Sequence, residues 1–265
     1  MKFPIILGLL TTVNAKYLSG YDMSLRTTKC TFDFNENIYN EIVPDNIDWR
    51  DHNVVTPVKN QGNCGSCWSF SATGAIESVY AQKTGTLRNI SEQQLIDCSL
   101  IYGNMGCNGG VMENAFEYAT DNYMCSEEDV PYEGVRDKSI NECRRCQTAG
   151  LIKLNGCVDI PTNNQTALKL AVAKQPVSVA IQADTEIFQT YTNGVIVSDK
   201  CGTNVDHGVL VVGYGKENDI PYWLIKNSWG SEWGDGGFVK ILRDDFDMTA
   251  GTCGIASKPS YPVYF

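Results

Sequence analysis

Cys67 stands in the stretch Gln61-Gly62-Asn63-Cys64-Gly65-Ser66-Cys67-Trp68-Ser69-Phe70-Ser71, at the start of a segment with near-helical periodicity. Its apolar residues Trp68, Ala72, Ala75, Ile76, Val79 and Tyr80 recur close to every 3.6 positions. A thiol at a helix N-terminus meets unpaired backbone N–H groups and the positive end of the macrodipole. Both lower its pKa toward neutrality and favour the nucleophilic thiolate. Such a nucleophile needs a group that takes up a proton and later returns it, and the chain has only two histidines, His52 and His207. His207 precedes the β-branched run Gly208-Val209-Leu210-Val211-Val212. His52 lies in Trp49-Arg50-Asp51-His52 with no evident orienting partner and reads as a surface or structural histidine. Cys67 with His207 is therefore a pair suited to nucleophilic acyl chemistry. Two histidines exclude a multi-histidine metal centre, and no metal or cofactor is expected.

The elements that must hold this pair fall into two groups. Besides the segment after Cys67, Ser91-Glu92-Gln93-Gln94 matches a capping box ahead of Leu95 and Ile96, and Ala115 to Ala119 reads as a third helix. Beyond these the pattern changes. Val177–Ile181, Gly208–Val212, Tyr222–Ile225 and Phe238–Leu242 are short runs of β-branched and aromatic residues, most of them bounded by Gly, Asp, Asn or Pro. A helical half followed by a half rich in antiparallel strands predicts an α+β protein of two lobes, with the site in the cleft between them.

The stretch around Cys67 resembles the papain-like cysteine peptidases, whose signature is C-G-S-C-W with a distant histidine and asparagine. Further matches run in order from about residue 42 to the C-terminus: Asp48-Trp49-Arg50, Val55 to Gln61, Ser91 to Leu95, Gly106-Cys107-Asn108-Gly109-Gly110, Val205-Asp206-His207 and Lys226-Asn227-Ser228-Trp229-Gly230. The resemblance implies Cys67 as nucleophile, His207 as general base and then acid, and Asn227 as the group orienting the imidazole. It also implies that the Gln61 amide and the Cys67 N–H bind an oxyanion, with Trp229 shielding Asn227 from water. Gly109, Gly110 and Asp206 would contact substrate. The pocket for the side chain two residues before the cut would be lined by Val111, Met112, Ala180, Val205 and Lys258. No second histidine-bearing loop is available to hold a substrate carboxylate, which favours an endopeptidase. A catalytically silent binding relative is disfavoured by the intact Gln61, Cys67, His207 and Asn227 set. An acyl transferase is disfavoured by the peptidase-like pattern along the whole domain.

Eleven cysteines in 265 residues point to an oxidising compartment, and the odd number leaves at least one thiol unpaired within the chain. The family framework implies Cys64–Cys107, Cys98–Cys143 and Cys201–Cys253. Cys125–Cys146 is the preferred fourth bridge, although Cys143 and Cys146 could exchange partners. The C-x-x-C at Cys143 and Cys146 is set aside as a zinc half-site because it is single and has no histidine near it. Lys2, the apolar run Phe3 to Val13 and Val13-Asn14-Ala15 read as a signal peptide over residues 1–15. That run is too short to span a membrane. Residues 16–41 form a short prosegment and residues 42–265 the peptidase domain. Residues 16–41 show no amphipathic helix, so latency would come from an extended segment in the cleft or from something external. Cys30 could tether that segment to Cys157, pair with another chain, or stay free. The formal charge of −10 gives no electrostatic footprint for nucleic acid. A secreted or lysosomal/vacuolar monomer acting on proteins or peptides is expected. Asn89-Ile90-Ser91 and Asn164-Gln165-Thr166 are glycosylation sequons.

Overall fold

The computed structural model describes residues 18–135, 143, 146, 149–244 and 247–265. The expected signal peptide lies outside the described residues. Helix α1 (Cys67–Thr84) ends at Gly85 in the left-handed region, φ 71°. It is buried on nearly every face, unlike a surface helix with a single apolar stripe. Its polar residues are satisfied internally: Ser71 Oγ donates to Val209 O (2.7 Å) and Thr73 Oγ1 to Glu92 Oε1 (2.5 Å). Gly74 is needed for close packing, because a Cβ there would come within 2.9 Å of Leu210. Helix α2 (Glu92–Cys98) starts at Ser91, whose hydroxyl accepts from Gln94 N (3.0 Å) as the capping box predicts. Helix α3 (Met112–Asp121) completes the helical lobe.

The other lobe is an eight-stranded sheet of β1 (Ile47–Asp48), β2 (Gly156–Asp159), β3 (Val177–Ile181), β4 (Val195–Ile196), β5 (His207–Glu217), β6 (Ile220–Lys226), β7 (Phe238–Leu242) and β8 (Ser260–Val263). Its order is β2-β8-β3-β5-β6-β7-β4, with β1 also pairing β5. All pairings are antiparallel except β4 with β7. β5 runs past the expected end at Val212. Gly213, which reads as a break, allows β1 to close on β5, since a Cβ there would lie 2.2 Å from Ile47 O. A two-residue turn at Asn218 and Asp219, both with positive φ (48° and 65°), then joins β5 to β6.

Two short helices, α4 (Gln165–Val172) and α5 (Glu186–Gln189), were not foreseen. The Asn164 sequon caps α4: its side-chain oxygen accepts from Ala167 N (2.7 Å) and its amide donates to Tyr39 OH (3.1 Å). Cys30–Cys157, Cys64–Cys107, Cys98–Cys143, Cys125–Cys146 and Cys201–Cys253 are bonded, and Cys67 is left as the free thiol. Both thiols of the C-x-x-C are thereby consumed. His52 is exposed and lies tilted against Trp49, ring centroids 5.0 Å apart.

Candidate active site

Cys67 is the first residue of α1 and His207 the first of β5, and the two elements pack directly against each other. A side chain at Gly208 would press on this contact, since its Cβ would lie 3.1 Å from Met112 Sδ and 3.4 Å from Cys67 O. The Gly208 N–H donates to Cys67 Sγ at 3.2 Å, which brings the thiol to the residue beside the imidazole. His207 Nε2 is 2.8 Å from Asn227 Oδ1, and that oxygen also accepts from Ser228 N at 2.8 Å. His207 Nδ1 is buried with no hydrogen-bond partner among the described residues. Trp229 packs on the imidazole (centroids 4.7 Å), backed by Trp233 and Phe188 (5.1 and 5.4 Å from Trp229). Ser228, to which the sequence reading gave no role of its own, also fixes Gln61 by donating from Oγ to Gln61 Oε1 (2.7 Å). The Gln61 amide therefore turns its Nε2 toward Cys64 O (2.9 Å) and Leu18 O (3.0 Å). Tyr132 OH donates to Gln61 O (2.6 Å), a contact with no sequence signal of its own.

Leu18 belongs to a strap lying in the cleft. Gly20 N and Tyr21 N donate to Asp206 O (3.2 and 2.9 Å), Gly110 N donates to Gly20 O (2.9 Å), and Asp22 N donates to Gly110 O (3.2 Å). This makes a parallel bridge between Tyr21 and Gly110. Gly109 permits the approach, since a Cβ there would lie 3.0 Å from Gly20 O, while one at Gly110 would lie 2.7 Å from the Trp68 ring beneath. Tyr21 is buried in one apolar cluster with Val111, Met112 and Ala180, with Val205 packed against it. Of the five expected pocket residues, four thus share that cluster. Lys258 is half-buried in the segment before β8 and makes no hydrogen bond or ion pair among the described residues.

Cys67 and His207 are wholly buried in this strapped form. Burial pushes the Cys67 thiol up to about 12, against the opposing pull of the Gly208, Gly20 and Trp68 N–H groups. Burial likewise pushes His207 down to about 4, although Asn227 favours its charged form. In this strapped form burial therefore outweighs the lowering expected from the helix N-terminus. Burial also raises the carboxyl of Asp206, whose Oδ1 accepts from Ala183 N (2.8 Å).

A helical lobe packed on a largely antiparallel sheet, with a cysteine, a histidine and an asparagine at their junction, defines a two-lobed thiol–imidazole protein. Residues 43–263 match the papain family cysteine proteases, and the chain belongs to that family. It is 49% identical over 225 residues to cathepsin L of Sarcophaga peregrina, covering 83% of this chain and 64% of that protein. It is 45% identical over 224 residues to germination-specific cysteine protease 1 of Arabidopsis thaliana, covering 84% and 58%. The structure of digestive procathepsin L 3 from the Tenebrio molitor larval midgut superposes with a TM-score of 0.81 at 41% identity, covering 92% and 76%. The chain spans about half to two thirds of the length of the curated relatives it matches. Among the described residues, no helix is long and apolar enough to cross a membrane.

Proposed function

We propose that the chain is a cysteine endopeptidase kept latent by its own residues 16–41, the prosegment ahead of the peptidase domain at 42–265. One observation carries the reading. Cys67 alone among the cysteines is unpaired, and its sulfur meets the Gly208 N–H beside an imidazole clamped by Asn227. With the strap gone, water and the remaining N–H donors solvate a charged sulfur, and the thiol falls toward the range of an activated cysteine. Cys67 Sγ attacks the substrate carbonyl carbon while His207 Nδ1 holds the proton. The developing oxyanion is met by Gln61 Nε2, which here donates to the Leu18 carbonyl; such a donor is worth about 3–4 kcal/mol. His207 returns the proton to the leaving amine, and water then hydrolyses the acyl-enzyme with the imidazole as base.

The seat of Tyr21 in the apolar cluster favours a hydrophobic substrate side chain there, with Asp206 O and Gly110 holding the backbone. Protein or peptide substrates, a monomeric enzyme without nucleic-acid partners, and a secreted or lysosomal/vacuolar location reached through residues 1–15 complete the reading. The test is Cys67→Ala, together with labelling by an epoxide peptide inhibitor mapped by mass. Turnover should be lost with the fold retained, and the label should sit on Cys67. Substantial turnover by a clean Cys67→Ala preparation, or a label elsewhere, overturns the assignment.

A further inference from the structure

The strap is fastened both without and with a covalent bond. Besides its ladder on Asp206 and Gly110, Leu25 O accepts from Asn114 Nδ2 (2.9 Å) and Thr27 Oγ1 donates to Tyr102 O (2.8 Å). Arg26 Nη2 reaches both Asp159 oxygens (2.8 and 2.6 Å). Four residues on, Cys30 is bonded to Cys157 of β2, and Phe32 N then donates to Cys157 O (3.0 Å). From there to residue 46 the chain runs over the surface, half-buried at most, with Tyr39 and Ile42 exposed. Exposed stretches of this kind are where peptidases nick. Any cut between residues 33 and 46 falls on the C-terminal side of Cys30. The severed piece carrying the strap therefore remains covalently joined to β2.

We propose that the Cys30–Cys157 bond makes opening of the cleft depend on two events, a cut between residues 33 and 46 and reduction of this disulfide by a dithiol. The cut alone leaves the strap tethered through Cys157. Reduction alone leaves it tethered through the main chain to β1. Cys30 is part-exposed and Cys157 is buried, so a thiolate of the reductant attacks Cys30 Sγ and expels the Cys157 thiolate, which takes a proton. The reductant's second thiolate then attacks its own sulfur in the mixed disulfide and expels the Cys30 thiolate, which takes the second proton. Two electrons and two protons pass to the protein, and the reductant leaves as its own disulfide. A short tether holds a ligand at an effective concentration on the order of millimolar. At ~10 nM protein a released strap is about 10⁵-fold more dilute than a tethered one. The inference rests on the endopeptidase reading for the consequence of opening, but the opening itself is measured separately.

The experiment uses the whole chain, nicked by a serine peptidase of chymotrypsin specificity at exposed Tyr39, with the cut verified by mass. Intact and nicked wild type, each with and without dithiol treatment, are compared with nicked Cys30→Ala that has never been reduced. After removal of the reductant, iodoacetamide labelling of Cys67 at ~10 nM protein reads access to the cleft, and turnover of a fluorogenic peptide reads activity. Only nicked, reduced wild type and nicked Cys30→Ala should label rapidly, at least tenfold faster than the other three. Nicked, unreduced wild type labelling as fast as the reduced form overturns the inference. So does slow labelling of nicked Cys30→Ala when reduction of nicked wild type also fails to speed it. Rapid labelling without turnover in the open forms refutes the endopeptidase reading and leaves the two-event opening standing.

Discussion

Gly20→Ala is the sharpest perturbation of the strap. A Cβ at this position would lie 2.0 Å from Gly65 O, 2.4 Å from Gly65 C and 2.7 Å from Gly65 Cα. These are backbone atoms of the loop that leads into α1, held by Gly65 N donating to Cys107 O (3.0 Å) and by the Cys64–Cys107 bond. They cannot swing aside as a flexible side chain would. To restore van der Waals separation the strap must move outward by more than ~1 Å. The four backbone bonds that seat it, at 2.9–3.2 Å, tolerate only a few tenths of an ångström before weakening. At about 0.5–1.5 kcal/mol net for each bond, loss of most of the ladder costs about 3 kcal/mol. That corresponds to a rise of roughly 10²-fold in the population of the open cleft. The assay is the rate of Cys67 alkylation in the intact, unreduced protein, where Cys67 is the free thiol. A rate within twofold of wild type would refute the reasoning, because it would mean that the contact at Gly65 does not seat the strap.

Two further expectations follow from the site. Asn227→Ala removes the 2.8 Å bond to His207 Nε2 but leaves nucleophile and base in place. It should lower kcat/KM of the opened chain by about 5- to 150-fold, the worth of one such hydrogen bond at ~1–3 kcal/mol; unchanged kinetics would remove Asn227 from the orienting role. His207 is held neutral in the strapped fold with its pKa at about 4, below the ordinary 6.5. The unfolded chain therefore binds the proton first as pH falls, and stability is full above pH 6.5 and lost on the way to pH 4. The amount is on the order of 3 kcal/mol. Asp206 and Glu113, whose carboxyls burial raises, work in the opposite direction. The comparison is thus between wild type and His207→Asn by urea unfolding at pH 7 and pH 4.5, and an equal acid loss in both would rule out the imidazole as its source.

Much of the site was legible in the residues themselves. Cys67 opens a helix because an apolar period of 3.6 begins there, and His207 opens a strand because a β-branched run follows it. Those local patterns, with the Gln61 and Asn227 motifs, name the groups that meet. The strand pattern failed where a glycine serves a neighbour rather than its own strand: Gly213 reads as a stop, yet it admits β1. Helix α4 went unread, because its cap residue Asn164 is of the same type as the start of a sequon. Two properties of the site come only from packing. The charge state of Cys67 depends on how much water reaches it, and the strap that excludes the water comes from residues 18–22, some 45 positions away, with no periodicity to announce it. The pairing of Cys30 with Cys157 spans 127 residues and requires the chain to pass over α3 and along β2. Sequence determines which side chains can do chemistry, because reactivity is a property of residue type and local backbone. Whether they are free to do it is decided by burial and by covalent links between distant segments, and these exist only once the chain has folded.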